Sequence, residues 1–235
     1  MLKIIRTILS AAPLLTLPAF AADGGFQTGI TGIGPAKFMF ALAGAMFLAL
    51  IFRSSANHLA RFVTARLGQM RIRAALSKRS NNVLHDFILP GAYGGLAKVD
   101  HAILTAGGIL CIQSKHYNGV VFGDEDEPQW TNIDSVNRRR FLNPLIQNEG
   151  RARALRKVIP DVPVANLIVF TGSVEFKSPL PKNVIHVDQI KSYIAKFVFG
   201  PSKIEDWDAV WYSVNAAAMT DEDTRKDFQA QLGFS

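Results

Sequence analysis

An α/β domain set behind an apolar N-terminal region is what this 235-residue sequence predicts. Three observations carry that expectation. Apolar runs of strand length at 83–89, 98–106, 109–117, 164–172 and 184–187 alternate with helical patterns at 143–159, 207–218 and 221–232. The hydrophobic fraction of 49% and the mean hydropathy of +0.15 suggest a soluble domain joined to something that lives in lipid. The net charge of +7 is unevenly placed. Residues 1–52 hold three basic and one acidic residue, 53–82 seven basic and none acidic, and 83–235 sixteen basic against eighteen acidic. The basic excess therefore reads as a membrane-flanking signal, although nucleic-acid binding is compatible with it.

The N-terminal elements follow in order. Lys3 and Arg6 precede an uncharged run from Thr7 to Phe20, closed by Ala19-Phe20-Ala21 and a Gly-rich stretch. This is the layout of a secretory leader cut after Ala21, or of an uncleaved first membrane helix, at 1–21. Residues 22–36 carry only Asp23 and read as a short extracytoplasmic segment. The run from Phe38 to Phe52 is apolar at every position and, taken as 37–53, reads as a transmembrane helix with Lys37 at the interface. Lys and Arg crowd the far flank, which places the bulk of the chain on the cytoplasmic side of a bacterial-type inner (plasma) membrane. Segment 54–80 reads as a basic amphipathic helix. Leu59, Phe62, Val63, Leu67, Met70 and Ala74 form its stripe, which can lie on anionic lipid or pack on the domain that follows. The domain itself is expected at 81–200 and closing helices at 201–235.

Within the domain, Gly107-Gly108 between two apolar runs signals a hairpin with a type I′ turn. If Ala106 faces Ile109, Asp100 stands opposite Lys115. Alternation along the strand puts Gln113, Lys115 and Asp100 on one face and turns His101 and His116 away from it. An ordinary cross-strand Asp–Lys pair, worth about 0.2–1 kcal/mol, accounts for the same pattern. The lone Cys111 excludes a disulfide framework and a Cys-rich zinc site. Asn143-Pro144 opens a helix, with Gln147 one turn in. Arg138, Arg139, Arg140, Arg151, Arg153, Arg156 and Lys157 are the only basic concentration in the globular part, a solvated face or a phosphate contact. The acidic run 124–128 reads as a solvated turn, and 164–172 as a central strand.

VLHDFILPG, KVDHAILTAGGILCIQSKHYNG, Trp130 and FLNPLIQNEGRARAL, taken together, resemble the nuclease-related domain family, abbreviated NERD. The resemblance covers about residues 66–195 and keeps the order of five landmarks. It implies the PD-(D/E)xK nuclease fold, a central mixed β-sheet flanked by helices. It also implies a metal-dependent phosphodiester hydrolase acting on nucleic acid. By position Asp100 matches the metal-binding aspartate, Gln113 stands where the triplet has an acid, and Lys115 matches its lysine. Asp100 and Gln113 would hold Mg²⁺ or Mn²⁺. The family's Gly-Glu pair appears here as Gly68-Gln69, a second amide for an acid, with Asp86 as a candidate substitute. The depleted acid set opens a second reading: a non-catalytic module that binds nucleic acid or protein beside a membrane.

Overall fold

The computed structural model describes residues 35–135, 137–198, 202 and 204–233. The expected leader or first helix, 1–21, and most of segment 22–36 lie outside the described residues. The chain divides into two units, 1–53 and 54–235. Helix α1, Pro35–Ser77, begins in the first and ends in the second. In the first unit its side chains from Phe38 to Phe52 are exposed, with Phe40 and Phe52 each at 78%. Among the described residues no helix is long and apolar enough to cross a membrane.

Two mixed sheets make up the second unit. Strands β1 (Val83–Pro90), β2 (Leu96–Thr105), β3 (Gly108–Lys115), β7 (Val164–Phe170) and β9 (Val184–His186) form a five-stranded sheet in the order β1-β2-β3-β7-β9. Strands β4 (Gly119–Phe122), β5 (Gln129–Ile133), β6 (Arg138–Leu142) and β8 (Val174–Phe176) form a four-stranded sheet, β6-β5-β4-β8. Pairing in the first is antiparallel for β1–β2–β3 and parallel for β3–β7–β9. The parallel pair β3/β7 reappears in the second sheet as the parallel pair β4/β8. A break at 116–118 and 171–173 separates the two pairs. It is bridged by Thr171 N–H donating to Lys115 O and Gly119 N–H to Ser173 O, each 2.9 Å. At the break Gly172 lies so close to the Tyr117 carbonyl that a Cβ would meet its oxygen at 1.9 Å.

Helices α2 (Pro144–Val158), α3 (Ile190–Val198), α4 (Trp207–Ala217) and α5 (Glu222–Gln231) complete the unit. One face of the large sheet, with Ala102, Leu104, Ile109 and Cys111, buries Ala152 and Leu155 of α2 and Val214 of α4. The other, with Ile103, Leu110, Ile112, Leu167 and Val169, buries Ile72, Ala75 and Leu76 of α1 and Ile190 and Ile194 of α3. Helix α2 starts as its sequence requires. Asn143 Oδ1 accepts from Leu145 N–H, and Pro144 occupies a first-turn position whose N–H would have no helical partner. The Asn143 amide also donates to the carbonyls of Asp124, Glu125 and Glu127, so the acidic 124–128 turn is pinned by its backbone.

One expectation needs correction. The hairpin loop is Ala106-Gly107, because Thr105 pairs with Gly108 and His101 with Ile112. Neither loop residue has positive φ, and the left-handed position falls on Gly108, φ 118°, so the turn is not type I′. A Cβ on Gly108 would meet the Pro163 carbonyl oxygen at 2.2 Å, so that carbonyl fixes where the chain turns. The register brings Asp100 beside Gln113 rather than Lys115. The apolar stripe of α1 had two placements open to it, on lipid or on the domain. Leu59, Phe62, Val63, Leu67 and Met70 are 45–67% exposed and belong to none of the buried hydrophobic clusters. The helix instead turns Gly68, Ile72, Ala75 and Leu76 to the sheet.

Candidate nucleic-acid site

Strand β3 is buried up to Gln113 and half-buried from Ser114 onward, so its polar end emerges where the large sheet stops. Alternation sends Gln113 and Lys115 toward α2. Lys115 Nζ donates to Gln147 Oε1 at 2.6 Å. Gln113 is 4% exposed, and its amide lies 3.0 Å from Gln147 Oε1. The Gln113 nitrogen is better placed toward the Pro144 carbonyl, 3.2 Å, with the oxygen accepting from Arg151 Nη1 and Lys115 Nζ, each 3.3 Å. In the reverse orientation that nitrogen would face two cations. Burial and then the Arg151 charge hold the Lys115 ammonium below its usual range, against the opposing pull of Asp100.

The other side chains of this end gather against α1. Asp100 Oδ2 accepts from Ser114 N–H at 3.0 Å and Ser114 Oγ at 3.2 Å. Gln69 Nε2 donates to the same Ser114 hydroxyl, and Gln69 Oε1 lies 2.7 Å from His101 Nε2. His101 Nδ1 lies 2.9 Å from His85 Nδ1. Burial, with His85 and Arg73 nearby, lowers the His101 pKa to about 3, and burial and Arg73 lower that of His85. His116 contacts Thr171 Oγ1 at 3.1 Å and Thr64 Oγ1 at 3.2 Å. His101 and His116 were expected on the face opposite both Asp100 and Lys115; these contacts turn them from Lys115, but His101 lines the same cavity as Asp100.

A cavity of about 390 Å³ opens beside Asp100, lined by Arg66, Gln69, Arg73, Asp86, Lys98 and His101 among others. Asp86 adopts φ 55°, a left-handed conformation in mid-strand that is costly for a residue with a Cβ. Its carboxylate is held by Lys98 Nζ at 2.9 Å and Arg225 Nη1 at 2.8 Å. Burial opposes the Asp86 charge, but these two cations outweigh it and lower its pKa.

The predicted residues therefore fall into separate groups. Asp100, Gln69 and Asp86 share the cavity on the α1 side, while Gln113, Lys115, Gln147 and Arg151 cluster on the α2 side. Arg138, Arg139 and Arg140 lie exposed on β6 at the edge of the small sheet, and Lys157 is exposed near the end of α2. Ser114, His85, Arg66 and Arg73 were not singled out for the site from the sequence. Ser114 carries a signal after the fact, because it is the middle residue of the Gln-Ser-Lys triplet.

These residues do not fit a resident divalent cation. Among the described residues no three His, Cys, Asp or Glu side chains assemble a metal site. Asp86 is neutralised by Lys98 and Arg225, and Asp100 already accepts two bonds from Ser114 on one oxygen. The Gln113 amide faces Pro144, Arg151 and Lys115, and three cations line the cavity beside Asp100. Mg²⁺ and Mn²⁺ favour clustered oxygen donors of net negative charge.

Two mixed sheets flanked by helices define the class as an α/β domain, and the end of its strand β3 is polar and rich in cations. Residues 64–171 match the family model of the nuclease-related domain. An uncharacterized protein of Bacillus anthracis is 22% identical over 167 residues, which span 68% of this chain and 79% of that protein. No solved structure matches the chain.

Proposed function

We propose that this is a nuclease-like protein that engages the phosphodiester backbone of nucleic acid at the end of β3. The observation that carries the reading is one carboxylate, Asp100, set between two groups of cations. Lys115 and Arg151 stand on the α2 side, and Arg66, Arg73 and Lys98 on the α1 side. Fixed cations attract a phosphate oxygen, and amides such as Gln113 and Gln147 orient it through directional bonds. The match to the nuclease-related domain and the Asp–Gln-x-Lys order favour a second reading, in which the site also hydrolyses the bound phosphodiester. Asp100 would accept the proton of the attacking water and Lys115 would neutralise the phosphoryl oxygens.

The protein is further proposed to be held at a bacterial-type inner (plasma) membrane by the apolar run from Phe38 to Phe52, with the nuclease-related domain on the cytoplasmic side. The continuous apolar character of that run and the wholly basic flank after it support this reading.

The test uses the full chain in detergent micelles with labelled DNA and RNA, in Mg²⁺, in Mn²⁺ and in EDTA. Asp100→Ala and Lys115→Ala proteins are assayed beside it. Salt-sensitive binding without cleavage supports the binding reading. Cleavage lost in both variants and in EDTA establishes hydrolysis, with the metal arriving alongside substrate. Absence of both binding and cleavage overturns the two readings together.

A further inference from the structure

A chain of hydrogen bonds runs from Asp100 through Ser114, Gln69 and His101 to His85, and its chemistry permits one direction only. Asp100 as a carboxylate can only accept. The Ser114 hydroxyl, 3.2 Å from Asp100 Oδ2, therefore points its proton there and turns its lone pairs to Gln69. Gln69 must meet those lone pairs with its Nε2 donor, which leaves its Oε1 facing His101 Nε2 at 2.7 Å. That nitrogen must carry a proton. His101 is buried and neutral, so its Nδ1 is the acceptor, and His85 Nδ1, 2.9 Å away, must be the donor. Every donor in the series points toward Asp100. Reversing the series would set a Ser114 lone pair against the carboxylate.

We propose that Gln69 is a positioning residue that couples the charge on Asp100 to the tautomers of His101 and His85, and that this role requires an amide at position 69. A carboxylate there could accept from His101 but could not donate to Ser114. The single Ser114 hydroxyl proton would then be shared between two carboxylates. The backbone supports the placement: a Cβ on Gly68 would lie 2.4 Å from Thr171 Cβ, so α1 closely approaches the residue that follows β7, one position before Gln69. Position 69 is on this account a bridge between α1 and the sheet, rather than the remnant of a metal ligand. Whatever neutralises Asp100 removes the one fixed end, and the series becomes free to invert as far as His85. This last consequence rests on Asp100 being where a ligand is engaged, whereas the bridge itself does not.

The test labels the five histidines of the full chain with ¹⁵N in detergent micelles and reads their tautomers from long-range ¹H–¹⁵N correlations near neutral pH. His85→Gln and His101→Gln proteins assign the signals. The expected result is a single form of each ring, protonated at Nε2 in His101 and at Nδ1 in His85. In Ser114→Ala, and separately in Asp100→Asn, each ring is expected to show a second tautomer. Neither of these side chains bonds an imidazole, so a purely local role for the histidines predicts no change. The opposite tautomers in the unaltered protein would overturn the proposal, as would a pattern unmoved in both variants. The readout needs no nucleic acid, so its failure is distinct from failure of the binding reading.

Discussion

Arg225 binds Asp86 twice, through Nη1 to the carboxylate and through Nη2 to the backbone carbonyl, each at 2.8 Å. The residue so gripped is the one non-glycine with positive φ among the described residues. Helix α5, which supplies Arg225, has no buried residue of its own. Beyond Arg225 its side chains reach β2 through the Gln231 amide, which bonds Leu96 N–H at 2.7 Å and Leu96 O at 3.1 Å. Polar bonds therefore hold this helix in place.

Arg225→Ala is expected to free α5 while leaving the sheet intact. Amide exchange across 222–231 should rise well above that of β1, and a protease should cut there first. Equal protection in both proteins would show that another contact holds the helix. At Asp86 the left-handed backbone costs about 1–2 kcal/mol for an ordinary L-residue. Asp86→Ala should therefore destabilise more than Asp86→Asn, because asparagine tolerates that conformation, and urea unfolding would rank them.

Acidification should weaken the fold through His101. Its folded pKa of about 3 lies below the unfolded value of 6.5, so between these pH values the unfolded chain binds the extra proton. Stability is fully present above pH 6.5 and declines as pH falls toward 3, at up to about 1.4 kcal/mol per pH unit. The lowered Asp86 pKa acts in the same direction at the acid end, below its unfolded 3.8. Urea midpoints at pH 7.5, 6 and 5 would show the decline. His101→Gln should flatten it.

The rotational setting of α1 is open to a paired test. Ile72 is fully buried, whereas Leu67 is 51% exposed. Ile72→Ala should cost about 2–5 kcal/mol and Leu67→Ala about 0.5 kcal/mol or less in unfolding of the second unit. The reverse order would mean that the outward stripe is the packed one.

The Cys111 thiol is buried without exposure, and burial raises its pKa to about 12. It should resist an aromatic disulfide reagent in the native protein and react only as fast as the core opens. Rapid labelling at neutral pH would contradict the placement of β3 at the centre of the sheet.

Strands of the large sheet were legible because they are long, apolar and bounded by Gly, Pro or Asn, and the start of α2 was legible from Asn143-Pro144. The small sheet was not. Its β6 reads as three consecutive arginines and a Phe, and β5 buries Asn132, which a hydrophobic pattern counts as outward. That asparagine is satisfied by the carbonyls of Asn118 and Val120, a contact invisible before the strands meet. The hairpin register was two residues off, a slip that keeps strand parity. Even so, the Asp100 carboxylate turns to Ser114 on the α1 side while Gln113 faces α2, so the expected single patch of Asp100, Gln113 and Lys115 is divided. The bridge through Gln69 joins positions 32 to 45 residues apart, and nothing local to any of them announces it.

The broken parallel pair has one more consequence. Because β3 runs on into β4 and β7 into β8, the small sheet is threaded through the large one at two places in the chain. It cannot be excised as a single insertion, since removing it needs two separate deletions, one on each side of α2. A shortened chain that drops 119–142 alone would leave β8 without its neighbour and expose Phe170 and Val174, which now pack around Trp130. Variation in length is therefore expected in the loops of this sheet, such as 124–128, rather than in the presence of the sheet itself.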